Sequence, residues 1–328
     1  MTALTASARG AWGRLKGQPW LYSFLGAAAV WLVTVAVVEG RGAGATLTAA
    51  LTFSVFYVIV GIGQMFVVTT GPGNVDLSIP ANMALSGAVA MKVMGGSDAM
   101  IAVGLLAALG TGFLVGCFNV LLIRLLMIPP IIATLSASFI VQSSAIAYGR
   151  GLRIKPPEAL AGFMEWRILK GLVGDGLPVI GLIVIGFAAV MAVVLRRTVY
   201  GRSVLAIGQS NRISWLGGIA VGRTRFLTYT LCAVLAGLTG ALMAAFSGGA
   251  SLDMGAPFLL ASIAVVVIGG TSIAGGNANL PGIWGASMFL FLLVTMLNAM
   301  GVSSGMRQML TGAIIIAIIT LAGGDRRR

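Results

Sequence analysis

Residues 69–81 read TTGPGNVDLSIPA. Two glycines, two prolines, an asparagine and the acid Asp76 stand there between two long apolar stretches, and the reading of this interruption decides the fold. Its surroundings settle the solvent first. Hydrophobic residues make up 58% of the 328 and charged residues 9%, with a mean hydropathy of +1.03; a soluble domain carries about 25% charged residues. The chain therefore reads as an all-α, polytopic transmembrane helical bundle. Its 47 glycines are spread through the apolar runs, where small residues let helix backbones approach closely, so they do not mark a linker.

Apolar runs fall at 20–38, 46–68, 80–95, 100–123, 128–147, 178–195, 226–246, 257–270, 282–300 and 307–322. The expectation is one transmembrane domain, 1–328, of about 10 spans of roughly 20 residues each. Runs 80–95 and 257–270 are short and border Gly/Pro-rich stretches, which places broken helices near 69–80 and 269–282. Arg9, Arg14 and Lys16 precede the first run. That run is long for a signal-peptide core and lacks a clean cleavage site, so it reads as a retained helix behind a cytoplasmic tail, 1–19.

The net charge is +13, but the Lys and Arg lie in the gaps between runs. Positive-inside topology explains them, and nucleic acid is not an expected partner. With the N-terminus inside, thirteen fall on the inner side: Arg9, Arg14, Lys16, Arg124, six arginines from 196 to 225, and Arg326, Arg327 and Arg328. Eight fall outside: Arg41, Lys92, Arg150, Arg153, Lys155, Arg167, Lys170 and Arg307. Ten crossings then leave both termini cytoplasmic. The chain has no histidine, and Cys117 and Cys232 sit alone in apolar runs, so neither a metal site nor a disulfide framework is expected. The outer segment 148–177, with Pro156, Pro157, Glu158, Glu165 and Trp166, is either a solvated loop or a surface for an extracytoplasmic partner.

The inner loop 196–225 is more telling. From Tyr200 it reads YGRSVLAIGQSNRISWLGGIAVGRTRF, with six arginines from 196 to 225 and no acid. Ser210 or Asn211 is placed to cap a short helix through Leu216, and Gly217 or Gly218 to end it. Such a helix suits docking into a cleft of a cytoplasmic partner, or a basic loop held against anionic membrane lipid; the residues alone leave both open.

Three motifs, in order, carry a family resemblance. Gly201-Arg202, Ala206-Ile207-Gly208 and Gly218-Ile219, with Asn211 between, resemble the GR…AIG…GI loop of the ribose-type permeases of ABC importers. The stretch IAVVVIGGTSIAGGNANLPGIWGA after Ser262 resembles that family's AVVLGGTSLSGGRG segment. Val75, Asp76, Leu77 and Ser78 resemble its GGIDLSVGS segment, although Gly73-Asn74 replaces a Gly-Gly pair and Pro80 a glycine. The resemblance implies a permease in a bacterial inner membrane that works with a second permease copy or a paralogue. It further implies cytoplasmic ATPase subunits that meet the loop through Gly201, Arg202, Ala206, Ile207, Gly208, Asn211, Gly218 and Ile219, and a periplasmic solute-binding protein that sets specificity. The solute it implies is a monosaccharide or a related polyol, furanosyl signal or nucleoside. ATP and Mg would be held by the partner ATPase, with no cofactor on this chain, which has no phosphate-loop motif.

Within that frame 69–81 has two readings. It is a loop between spans, with Asp76 a solvated turn residue, or a broken helix inside the protein that lines a path. Non-helical backbone is tolerated at membrane depth only when buried in protein or facing a watery cavity. On the second reading Asn74, Asp76, Ser78 and Asn82, with Thr271, Ser272 and Asn277 of the second break, contribute polar groups to a solute pathway. Thr70 and Thr271, and Pro80 and Pro281, share one offset of 201 residues, and interruptions in corresponding halves point to a transport path. A proton- or sodium-coupled transporter is the alternative, but intramembrane titratable groups mark such proteins, and Asp76 is the only acid near a plausible path. A membrane-embedded enzyme would need metal-binding acid pairs or a nucleophile with a base, and neither is found.

Overall fold

In a computed structural model, which describes residues 19–40, 42–149, 154–170 and 176–324, each of the ten apolar runs coincides with a helix. They are α1 (Pro19–Val37), α2 (Ala43–Thr69), α3 (Ile79–Met94), α4 (Ile101–Arg124), α5 (Pro130–Gly149), α7 (Val179–Arg197), α10 (Val221–Phe246), α11 (Phe258–Ile268), α12 (Leu280–Ala299) and α13 (Ser304–Gly324). Between them lie three short helices, α6 (Glu158–Glu165), α8 (Val199–Gln209) and α9 (Asn211–Leu216). Among the described residues seven helices are long and apolar enough to cross a membrane: α1, α2, α4, α5, α7, α10 and α12. Helices α3 and α11 are shorter apolar helices. The tail with Arg9, Arg14 and Lys16, together with Arg41, Arg150, Arg153, Asp175 and Arg326, Arg327 and Arg328, lies outside the described residues.

Helix α2 is the axis of the bundle: it packs against α10, α11, α12 and α7, and from Val55 to Thr69 all but Tyr57 of its residues are buried. Phe53 ties two of these contacts together, stacked on Phe291 of α12 at 4.9 Å and edge-on to Phe246 of α10 at 5.0 Å. Helix α10 also packs on α3 and α4. On α4, Gly112 and Gly116 allow this approach. A Cβ on the first would lie 2.5 Å from the Ala233 carbonyl oxygen, and on the second 2.7 Å from the Thr230 Cα. This is small-residue packing. Around this centre Leu25 and Leu32 of α1, Leu106 and Leu114 of α4, Phe139 and Ile140 of α5, and Val190 and Val193 of α7 are exposed, an apolar rim suited to lipid.

Within segment 148–177 the described residues 154–170 hold a helix packed on the bundle. That helix, α6, buries Leu160 and Met164, and the Asp98 carboxylate accepts the Ala159 N–H at 3.0 Å, capping the first turn from another loop. Two-residue strands, β1 (Arg167–Ile168) and β2 (Leu177–Pro178), pair antiparallel before α7.

Both breaks are present. α2 stops at Thr69 and α3 starts at Ile79; α11 stops at Ile268 and α12 starts at Leu280. The two restarts share the offset of the sequence pairs, with Pro80 and Pro281 each second in its helix, where a missing N–H costs nothing. Loop 196–225 differs from expectation. The short helix expected through Leu216 is there as α9, but a further helix, α8, precedes it and α10 begins at Val221 rather than near 226.

Candidate functional site

The first break is built from a turn and an extended piece. Asn74 donates its N–H to the Gly71 carbonyl, with Pro72 and then Gly73 (φ 77°) between. That is the residue pattern of a type II turn. Residues 75–77 are neither helix nor ladder, so their backbone groups need partners. Side chains supply them on both edges. The Gln64 amide accepts from the Asp76 N–H at 3.2 Å and donates to the Asp76 carbonyl at 3.4 Å. The Thr134 hydroxyl accepts from the Leu77 N–H at 3.1 Å and lies 3.2 Å from the Val75 carbonyl. Two side chains, from α2 and α5, thus act as neighbouring strands.

Asp76 is 1% exposed, so it is not a solvated turn residue. Its Oδ1 accepts from the Ser78 N–H at 2.9 Å, the Ser78 hydroxyl at 2.6 Å and the Asn119 amide at 3.4 Å; the same amide donates to the Ser78 Oγ at 2.8 Å. Its Oδ2, and the Asn119 Oδ1, are buried without a hydrogen-bond partner among the described residues. Asn74 accepts from the Tyr229 hydroxyl at 3.2 Å. Asn82 donates to the Ala233 carbonyl at 2.7 Å and accepts from Ser86 at 2.9 Å. All four sequence-chosen side chains of this break are buried, and each is held by protein partners.

The second break starts with a helix stop. Gly270 (φ 89°) follows α11, and the Thr271 N–H returns to the Val266 carbonyl at 3.1 Å, the hydrogen bond of a Schellman end. The buried Thr271 hydroxyl accepts the Asn279 N–H at 3.1 Å, ahead of α12. Ser272 is half-buried and Asn277 exposed. Among the described residues no hydrogen bond joins these side chains to Asn74, Asp76, Ser78 or Asn82. The breaks meet through backbone instead, with the Gly276 N–H donated to the Thr69 carbonyl at 3.0 Å.

Beside that meeting point lie α8 and α9. The Thr198 hydroxyl accepts from the Gly201 N–H at 3.1 Å at the start of α8, and Ser210 accepts from the Ile213 N–H at 3.3 Å at the start of α9. Gly217 follows Leu216, then Gly218 with φ 81°. The sequence-chosen loop residues divide by direction. Arg202, Asn211 and Gly218 are exposed, Ala206 and Ile219 half-buried, and Gly201, Ile207 and Gly208 buried against the bundle. Residues not chosen from the sequence face outward. Ile213, Trp215 and Leu216 are 70%, 69% and 68% exposed. Their signal was three large apolar residues in a basic segment too short to span. Gln64, Asn119 and Thr134 were likewise missed; two amides and a hydroxyl inside apolar runs were the trace they left.

A family model described as "Branched-chain amino acid transport system / permease component" matches residues 46–319. The chain belongs to this permease family. It is 31% identical over 275 residues to the ribose import permease protein RbsC of Escherichia coli K12, covering 82% of each chain. To RbsC of Bacillus subtilis 168 it is 31% identical over 271 residues, 82% of this chain and 81% of the relative. To the autoinducer 2 import system permease protein LsrC of Enterobacter sp. 638 it is 29% identical over 308 residues, 94% and 87%. No solved structure matches the chain significantly. The permease is thus a multi-pass membrane protein and the transmembrane transport subunit of an ATP-driven importer.

Proposed function

We propose that this permease passes a small hydroxylated solute, a monosaccharide or a close relative, inward across a bacterial inner membrane. The relatives named for ribose and autoinducer 2 support that solute class. A paired permease would complete the path, with a separate ATPase docked on each copy and a periplasmic binding protein delivering solute. The observation that carries this reading is α9: six residues, too short to span, which present Ile213, Trp215 and Leu216 to the exterior with the exposed Arg212 among them. An exposed apolar patch with a charged rim marks a protein-binding surface, and aromatic anchors dominate such contacts.

The same reading has ten crossings and both termini cytoplasmic. Contacts at the two ends of the bundle support it. At one end the Asp98 carboxylate holds Ala159 and Lys92 lies over the Tyr148 ring at 4.1 Å; at the other, Gly222 packs on the Arg124 guanidinium and Gly276 bonds to Thr69. Helix α7, nineteen residues long, runs from the α6 end to the α8 end. Single cysteines at Ser210 and Ala159, in a background lacking Cys117 and Cys232, are therefore expected to label from opposite faces, Ser210 from the cytoplasm. Labelling of both from one face would sink the arrangement.

The two breaks are the proposed lining of the path, with Asn74, Asp76, Ser78, Asn82, Thr271, Ser272 and Asn277 near it. The test is transport with a defined probe. Proteoliposomes holding the permease with its ATPase, supplied with the binding protein, are expected to take up radiolabelled ribose or a related pentose. Uptake should stop on ATP depletion and persist with a proton uncoupler. Uptake that survives ATP depletion but collapses with the uncoupler would instead establish proton coupling.

A further inference from the structure

Three segments that are far apart in sequence meet backbone to backbone at one point. The end of α8 contributes Gly208 and Gln209, the first break Thr69 and Gly71, and the second break Gly275 and Gly276. A Cβ on Gly208 would overlap the Thr69 carbonyl oxygen and the Gly276 nitrogen. A Cβ on Gly275 would lie 2.7 Å from the Gly71 nitrogen and 3.1 Å from the Gly208 carbonyl oxygen. Gly276 lies on the Gln209 side chain, where a Cβ would come 2.7 Å from Cγ. The Gly276 N–H closes the junction by donating to Thr69 at 3.0 Å, one of the last carbonyls of α2 that no intrahelical donor reaches. Gly275 and Gly276 have φ of 87° and 72°, a consecutive left-handed pair that other residues rarely adopt.

We infer that Gly208, Gly275 and Gly276 form a mechanical junction that makes the end of α8 and both helix breaks move as one body, so that displacement of the α8–α9 pair shifts the two breaks together. The physical reason is the absence of side chains. Segments separated by a flexible side chain accommodate a shift by rotamer changes, whereas backbones in van der Waals contact and joined by a hydrogen bond have no such slack. Gly208 acts here as a positioning residue. Its burial faces the bundle, so a partner on α9 is felt at the breaks through it. As regards ATP-driven motion, the inference rests on the importer reading; the joint movement of the three segments does not.

Hydrogen exchange read by mass spectrometry in nanodiscs tests both parts. In the permease alone, Gly208→Ala wedges the junction apart, and peptides covering 69–78 and 271–279 are expected to exchange about tenfold faster together, while peptides of α4 keep the wild-type rate. Faster exchange in one break only, or in neither, would overturn the inference. In the permease with bound ATPase, ATP and vanadate are expected to change exchange in 199–216 and in both breaks of the wild type, but only in 199–216 of Gly208→Ala. A purely structural defect would not remove that response selectively. A wild-type response confined to 199–216, or a Gly208→Ala response equal to wild type, overturns it. Failure of the wild-type chain to bind an ATPase would sink the importer reading, while the arm without ATPase still decides the junction. Where Gly208→Ala does not insert, Gly276→Ala carries the same expectations.

Discussion

Asp76→Ala is expected to abolish uptake and to lower the stability of the folded permease by about 3 kcal/mol, because it leaves buried donors without an acceptor, at about 1–3 kcal/mol each. Those donors are the Ser78 N–H, the Ser78 hydroxyl and the Asn119 amide, all directed at one carboxylate oxygen. Asp76→Asn keeps an acceptor at the Oδ1 position and puts an amide donor where Oδ2 has no partner among the described residues, beside a network whose Asn119 Oδ1 also lacks one there. It is expected to fold within about 1 kcal/mol of wild type and to transport slowly, with the ATPase still bound. Thermal unfolding of the purified chain and uptake per assembled complex separate the two effects. An Asp76→Ala protein that unfolds and transports like wild type would show that the network does not hold the break together.

Trp215→Glu is expected to cost the permease its ATPase. An aromatic anchor at the centre of an interface is worth about 2 kcal/mol or more, about thirtyfold in affinity, and a carboxylate in its place would also be buried unpaired in the complex. The free permease should be unaffected, since exposed substitutions usually change stability by less than about 0.5 kcal/mol, and Trp215 is 69% exposed. Arg202→Glu, reversing an exposed charge on α8, is expected to weaken the same association less, and more at low salt than at high. Co-purification of the ATPase at matched permease levels is the measurement. Trp215→Glu that retains ATPase at the wild-type ratio would remove α9 from the docking surface. Gly208, buried at the opposite side of the helix pair, is expected to leave docking intact when changed to Ala and to act on the breaks instead.

What was legible in the residues is what chain-local chemistry dictates. Each apolar run became a helix because backbone groups in a run of apolar side chains have only one another to bond with. The breaks were legible because proline and left-handed glycine end helices within a residue or two, as at Gly71-Pro72-Gly73 and at Gly270. The Ser210 cap and the Gly217-Gly218 stop follow from the same short-range rules. Helix α8, ahead of that cap, was not, because arginines and glycines mark a segment as leaving the membrane without saying whether it coils. Tertiary structure alone decided the partners of the break. Gln64 lies 12 residues before Asp76, Asn119 lies 43 after it, and Thr134 lies 57 after Leu77. No period or motif links such positions; they meet because α2, α4 and α5 present those faces to one extended segment. Gly208 is the clearest case. Its place in a motif was visible in the chain, but its inward direction against Thr69 and Gly276 depends on how α8 packs, and a glycine has no side chain to announce which surface it will meet.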